Sequence, residues 1–204
     1  LNPEHPPLLK NLSPFPLPVL RLNFPLDSPA WKDYVNGQWD VGREFLYERG
    51  NNADLIIQLA RIGPMLLTIF SCFLVYLFAK KLLGPIWALL PFFLFSFSPL
   101  VLAHGHYVTT DLAATFGVLI TLFAFLNYLK NQNRKNLILA GLAFGLGQLT
   151  KFSLVMLLPF LFVLALVFYK VDNYRKIKLL QKKQNFFKFC LNILLIFLIG
   201  YSLV

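Results

Sequence analysis

The side chains able to do acid–base or phosphate chemistry fall at three places: Glu4 and His5, then His104, His106 and Asp111, then Lys151. The middle group lies in Ala103-His104-Gly105-His106-Tyr107-Val108-Thr109-Thr110-Asp111, a polar island between two long apolar runs. It carries two of the three histidines and the sole carboxylate between Asp54 and Asp172, inside a stretch from Lys81 to Lys130 free of other Lys or Arg. Carboxylate, imidazole and ammonium groups gathered at one interface are the parts for proton transfer or for holding a phosphorylated ligand. His104 and His106, with Glu4 or His5, could also chelate a divalent metal, although interfacial histidines more often serve only as packed polar groups. Beyond that possible divalent metal, these residues call for no cofactor.

Helices in a membrane have to position them. Hydrophobic residues make up 57% of the chain and the mean hydropathy is +0.63, too apolar for a soluble domain. Six apolar segments, 62–79, 85–103, 112–129, 137–150, 152–169 and 189–204, are expected to span, most reaching ~18 residues against a ~30 Å hydrocarbon core. Pro91 and Pro99 are expected to kink the second. The first residue is Leu1 and the last segment stops in an apolar run, so the sequence reads as a fragment with its last span truncated. Residues 1–61 are broken by prolines and then carry apolar residues at partly helical spacing. They are expected to form an extracytoplasmic loop with short amphipathic surface helices.

Charge assigns the sides. The loops at 80–84, 130–136 and 170–188 hold twelve basic residues against one acid, whereas residues 1–61, the histidine island and Lys151 hold seven against eight. The positive-inside rule makes the first set cytoplasmic. A net charge of +10 therefore reports topology, not nucleic acid. The basic run in 170–188 could also hold anionic headgroups of membrane lipids. Cys72 and Cys190 fall inside spans and predict no disulfide.

Both flanks of 137–169 are basic, so two spans must meet at Thr150-Lys151. The first, ~21 Å long at 1.5 Å per residue, is too short to lift Lys151 to the outer surface. A lone ammonium recessed there calls for an anion, unless it snorkels to the interface. No Asp, Glu, Lys, Arg or His lies at mid-depth in any span. Transporters usually place ionisable groups there, so the pattern favours a reaction at one interface.

Pro3-Glu4-His5-Pro6-Pro7-Leu8-Leu9-Lys10 resembles the E-H-P-P-L-x-K signature of protein O-mannosyltransferases and of the related bacterial lipid A aminoarabinose transferases. Thr109-Thr110-Asp111 resembles the T-T-D that opens a span in those proteins. Gly141-Leu142-Ala143-Phe144-Gly145-Leu146 with Leu149-Thr150-Lys151 is similar to their glycine-rich helix ending in L-T-K, and Arg61 matches an arginine entering the preceding span. The resemblance implies an all-α integral membrane bundle of the GT-C type. Its expected activity moves a sugar from a polyprenyl-phosphate carrier to a protein, lipid or glycan acceptor at the extracytoplasmic face, here of a bacterial inner membrane. By the same resemblance Glu4 and Asp111 are acidic site positions, Glu4 also matching a metal ligand. His5, Lys151 and Arg61 lie toward the donor, with His104 and His106 beside them, and the main catalytic aspartate is expected upstream of Leu1. The alternatives are a transporter or flippase of lipid-linked sugars and a non-catalytic membrane scaffold.

Overall fold

The computed structural model describes residues 6–175 and 185–204; Glu4, His5 and the middle of the 170–188 basic loop lie outside them. Every regular element among the described residues is helical. The loop contributes α1 (Pro7–Leu12), α2 (Pro29–Lys32), α3 (Gln38–Arg43) and α4 (Ala53–Ala60). The bundle follows with α5 (Ile62–Leu83), α6 (Leu89–Ser96), α7 (Pro99–His104), α8 (Thr110–Lys130), α9 (Arg134–Gln148), α10 (Leu157–Arg175) and α11 (Phe186–Tyr201). Three helical stretches, Ala53–Leu83, Thr110–Lys130 and Phe152–Val171, are long and apolar enough to cross a membrane. The protein is an all-α membrane protein.

Local chemistry sets the boundaries. Asn52 caps α4 by accepting the Leu55 amide at 3.1 Å, and Asn133 caps α9 by accepting that of Asn136 at 2.7 Å. α5 ends on Gly84 at φ +84, a conformation open to glycine, and Pro85 follows. The second apolar run is divided: Ser98 is extended, as a residue before proline prefers, and Pro99 opens α7. Pro91 breaks nothing, because it stands in the first turn of α6, where no amide is missed.

α9 is the hub, packing extensively against both α8 and α11. Its glycines allow this. A Cβ on Gly141 would lie 2.7 Å from Ile199, and one on Gly145 2.5 Å from the Gly200 carbonyl. On the α8 side, a Cβ on Gly147 would meet Thr121 Oγ1 at 2.9 Å, and Thr121 donates to Ala143 O at 3.0 Å. Small residues and a buried hydroxyl are what close helix contact in a membrane uses. Around this seam Phe125, Tyr128 and Leu129 of α8, Phe144 of α9, Leu161 of α10 and Phe189, Ile193 and Ile196 of α11 form the core. α5 and α6 expose Phe70, Phe73, Leu90 and Phe93, as lipid-facing helices do.

Polar ties hold the loop more than burial does. Asn23 and Asn51 exchange two bonds of 2.9 Å, Asn23 N donating to Asn51 Oδ1 and Asn51 Nδ2 to Asn23 O. Arg49 pairs with Asp27 at 2.9 Å and Glu44 at 3.3 Å. The hydrogen bond from Arg49 holds the Asp27 carboxyl below its ordinary value of 3.8. A lowered folded-state value gives stability that is present above the unfolded value and lost as pH falls through the folded one. Amide exchange protection across residues 22–52 should thus be flat from pH 7 to about pH 5 and decline only below about pH 4. Arg49→Gln should flatten that acid limb.

Candidate functional site

Asp111 stands in the first turn of α8, after the extended Thr109, where the helix dipole stabilises negative charge. Lys151 follows the end of α9 in an extended conformation (φ −157) before the short 3-10 turn Phe152–Met156. The turn between them is built by Thr150, fully buried, whose hydroxyl donates to Gly147 O at 2.6 Å. Gln148 adds a bond from Nε2 to Leu154 O at 2.9 Å. Gly117 of α8 lets Thr150 approach, since a Cβ there would sit 2.9 Å from its hydroxyl. The result is an ion pair of 2.8 Å between Lys151 Nζ and Asp111 Oδ1, with the side chains 32% and 61% exposed.

The first motif joins the same place. The Leu8 amide donates to Leu149 O at 3.1 Å. Leu9 is buried with Leu67 of α5 and Ala113 of α8, and Gly63 lets α5 close on the Leu12 backbone. Pro6 and Pro7, together with Gln148, Leu149 and Phe152, line a mainly apolar cavity of ≈ 320 Å³. Three segments far apart in sequence thus meet: 6–9, 109–113 and 148–152.

The histidines are placed differently. His106 Nδ1 lies 3.1 Å from Leu102 O, and its ring is 4.2 Å from that of Tyr107. The Arg61 guanidinium stands 5.5 Å from the other aromatic partner, the centre of the Tyr107 ring, in cation–π range. Gly105 is required where α5 touches the island. A Cβ there would lie 2.6 Å from Val101 O, and Thr68 Oγ1 is 2.9 Å from Gly105 O. His104 Nδ1 and Thr109 Oγ1 are buried without a hydrogen-bond partner. Among the described residues no three His, Cys, Asp or Glu side chains gather as metal ligands; the expected ligands Glu4 and His5 lie outside those residues.

Sequence reasoning treats Lys151 as a lone cation, and the structure corrects this: Asp111 is its partner. It also passes over Gln148, Tyr107 and the threonine of L-T-K. For Thr150 a signal existed, because a hydroxyl between a glycine-rich helix and a recessed lysine has few uses besides shaping the turn. For Tyr107 and Gln148 there was none short of the contacts themselves.

The helices define a membrane protein, with Asp111, Lys151 and the first motif's backbone brought together at one helix-end interface. Residues 56–201 match the family described as dolichyl-phosphate-mannose-protein mannosyltransferase. The chain belongs to that family. It is also 31% identical over 121 residues to an undecaprenyl phosphate-alpha-4-amino-4-deoxy-L-arabinose arabinosyl transferase of Wigglesworthia glossinidia brevipalpis. That match covers 57% of this chain and 22% of the relative, so the chain matches only about a fifth of that protein's length. No solved structure matches.

Proposed function

We propose that the protein transfers a sugar from a polyprenyl-phosphate carrier to a protein, lipid or glycan acceptor at the extracytoplasmic face. One observation carries the reading: the Lys151–Asp111 pair, to which the Leu8–Leu149 bond joins the first motif. A carrier phosphate needs charge neutralisation as its bond to the sugar breaks, and an ammonium fixed at the interface supplies it. Asp111 sets where that ammonium sits, and Arg61 is a second cation at the same end. The acceptor oxygen forms the new bond to the sugar and its proton passes to a carboxylate. Glu4 and His5 lie outside the described residues and join this reading only through the motif resemblance. The apolar cavity beside Leu149 and Phe152 suits the isoprenoid.

The experiment is a transfer assay with the full-length protein in vesicles and a labelled polyprenyl-phosphate sugar. Release of free polyprenyl phosphate, abolished by Asp111→Ala, is the expected result. Donor crossing the bilayer intact, without release, would sink the proposal in favour of a flippase.

Orientation has its own test. The charge bias predicts that cysteines at Asn36 and Val108 react with a membrane-impermeant thiol reagent in sealed cells, and that one at Asn131 does not. Val108 is the probe of the histidine island because the nearby Gly105 has no room for a side chain. Labelling at Asn131 with Val108 protected would reverse the assignment.

A further inference from the structure

At the end of the bundle remote from Asp111, α8 and α9 leave an apolar groove of ≈ 330 Å³ between Ile120, Phe123 and Ala124 on one side and Leu139, Leu142 and Leu146 on the other. Its open end is polar and lined by Asn127 and Asn136. Lys81, from the last turn of α5, reaches across to it. Its ammonium lies 3.9 Å from the centre of the Phe123 ring and donates to Asn127 Oδ1 at 2.6 Å. A terminal lysine normally runs out to water; this one is folded over the groove's mouth. Lys130, three residues after Asn127 in α8, stands on the same face of that helix. Lys80, Arg134 and Lys135 share this end, and in the sequence the one acid of these basic loops is Asp172, near the end of α10. Among the described residues neither Lys81 nor Lys130 has an acidic partner.

An apolar slot along two helices, closed at one end by two amides and two cations without an acid, fits one kind of molecule. We infer that this groove binds an anionic glycerophospholipid, one acyl chain lying between α8 and α9 and the phosphate at Lys81 and Lys130. The slot runs along α8 from Ile120 to Asn127, about 10 Å at 1.5 Å per residue, enough for part of a chain. The phosphate gives the two lysines a counter-ion, and Asn127 can turn its amide to the lipid once Lys81 shifts to the anion.

The test is native mass spectrometry of the full-length protein released from micelles holding equal phosphatidylglycerol and phosphatidylcholine. The parent should retain phosphatidylglycerol in clear excess. Lys81→Gln should cut that excess about fivefold, the worth of one basic charge near a lipid surface. Leu139→Trp, at a groove position whose side chain is 47% exposed, should fill the slot and have a comparable effect. The gentler Leu139→Phe serves if the Trp variant does not elute as a single species. Lys32→Gln, on the exposed α2, should change nothing. Equal retention of the two lipids by the parent would overturn the inference, as expected if another helix of the protein covers the groove. An effect of Lys81→Gln with none from either Leu139 variant would also overturn it, leaving surface charge alone. So would an equal loss on Lys32→Gln.

Discussion

Lys151→Gln in the full-length protein is expected to weaken binding of a polyprenyl-phosphate sugar by about ten- to hundredfold, the worth of a hydrogen bond to a charged group at ~1.5–3 kcal/mol. Folding and insertion should survive. The Asp111 side chain that loses its partner is 61% exposed, so no buried charge is stranded. Lys151→Arg should fall between parent and Gln, because a guanidinium keeps the charge but is longer and planar. Asp111→Asn separates two roles. If Asp111 only positions the lysine, donor affinity drops modestly in Asp111→Asn, and adding Asp111→Asn to Lys151→Gln weakens it no further. Affinity is read on purified, correctly inserted protein. Parent-like binding by Lys151→Gln would leave the lysine as an interfacial anchor and remove it from the donor site.

The second large effect concerns the helix seam. Gly145→Leu should leave little folded protein, since the new side chain would begin 2.5 Å from the Gly200 carbonyl, a backbone atom that cannot swing away. Overpacking of this kind costs ~1–3 kcal/mol where neighbours can adjust and more where they cannot. Gly141→Leu should behave alike, against Ile199. Gly42→Ala in α3 is the contrast: nothing lies within 4 Å of its added carbon, and alanine in a helix interior gains up to ~1 kcal/mol over glycine. Thermal denaturation in detergent, followed by elution profile, checks all three. A Gly145→Leu protein melting with the parent would mean that α9 and α11 do not pack as described.

Much of this architecture is legible in the sequence because membranes restrict the choices. Apolar runs must become helices, as no water is present to satisfy an open backbone. Two of the motifs hold the residues of the Asp111–Lys151 pair, and Leu149-Thr150-Lys151 stood out as a polar break in a run otherwise too long for one crossing. What could not be read was partnership. That Lys151 faces Asp111, and not Glu4 or a histidine, depends on the angle at which α9 meets α8. That angle is set by Gly117, Gly147 and Thr150 in three dimensions. Likewise Pro91 and Pro99 look alike in sequence, yet only Pro99 divides a helix, because Pro91 falls in a first turn. The Lys81 fold-back over Phe123 is invisible for the same reason, since lysines near span ends ordinarily point away.

The seam between α9 and α11 also bears on how the chain is made. α9 finds α8 as soon as it leaves the ribosome, since only Asn131, Gln132 and Asn133 separate them. Its other small-residue face waits for Gly200, some fifty residues later, or about 3–10 seconds at ordinary rates of synthesis. During that interval Gly141 and Gly145 lie bare against lipid, or against whatever chaperone or insertion machinery shelters them. A pause in translation between residues 150 and 200 would lengthen that exposure, and a substitution at Gly200 would make it permanent. Variants at this one late glycine should therefore be degraded in cells faster than their stability in detergent would suggest.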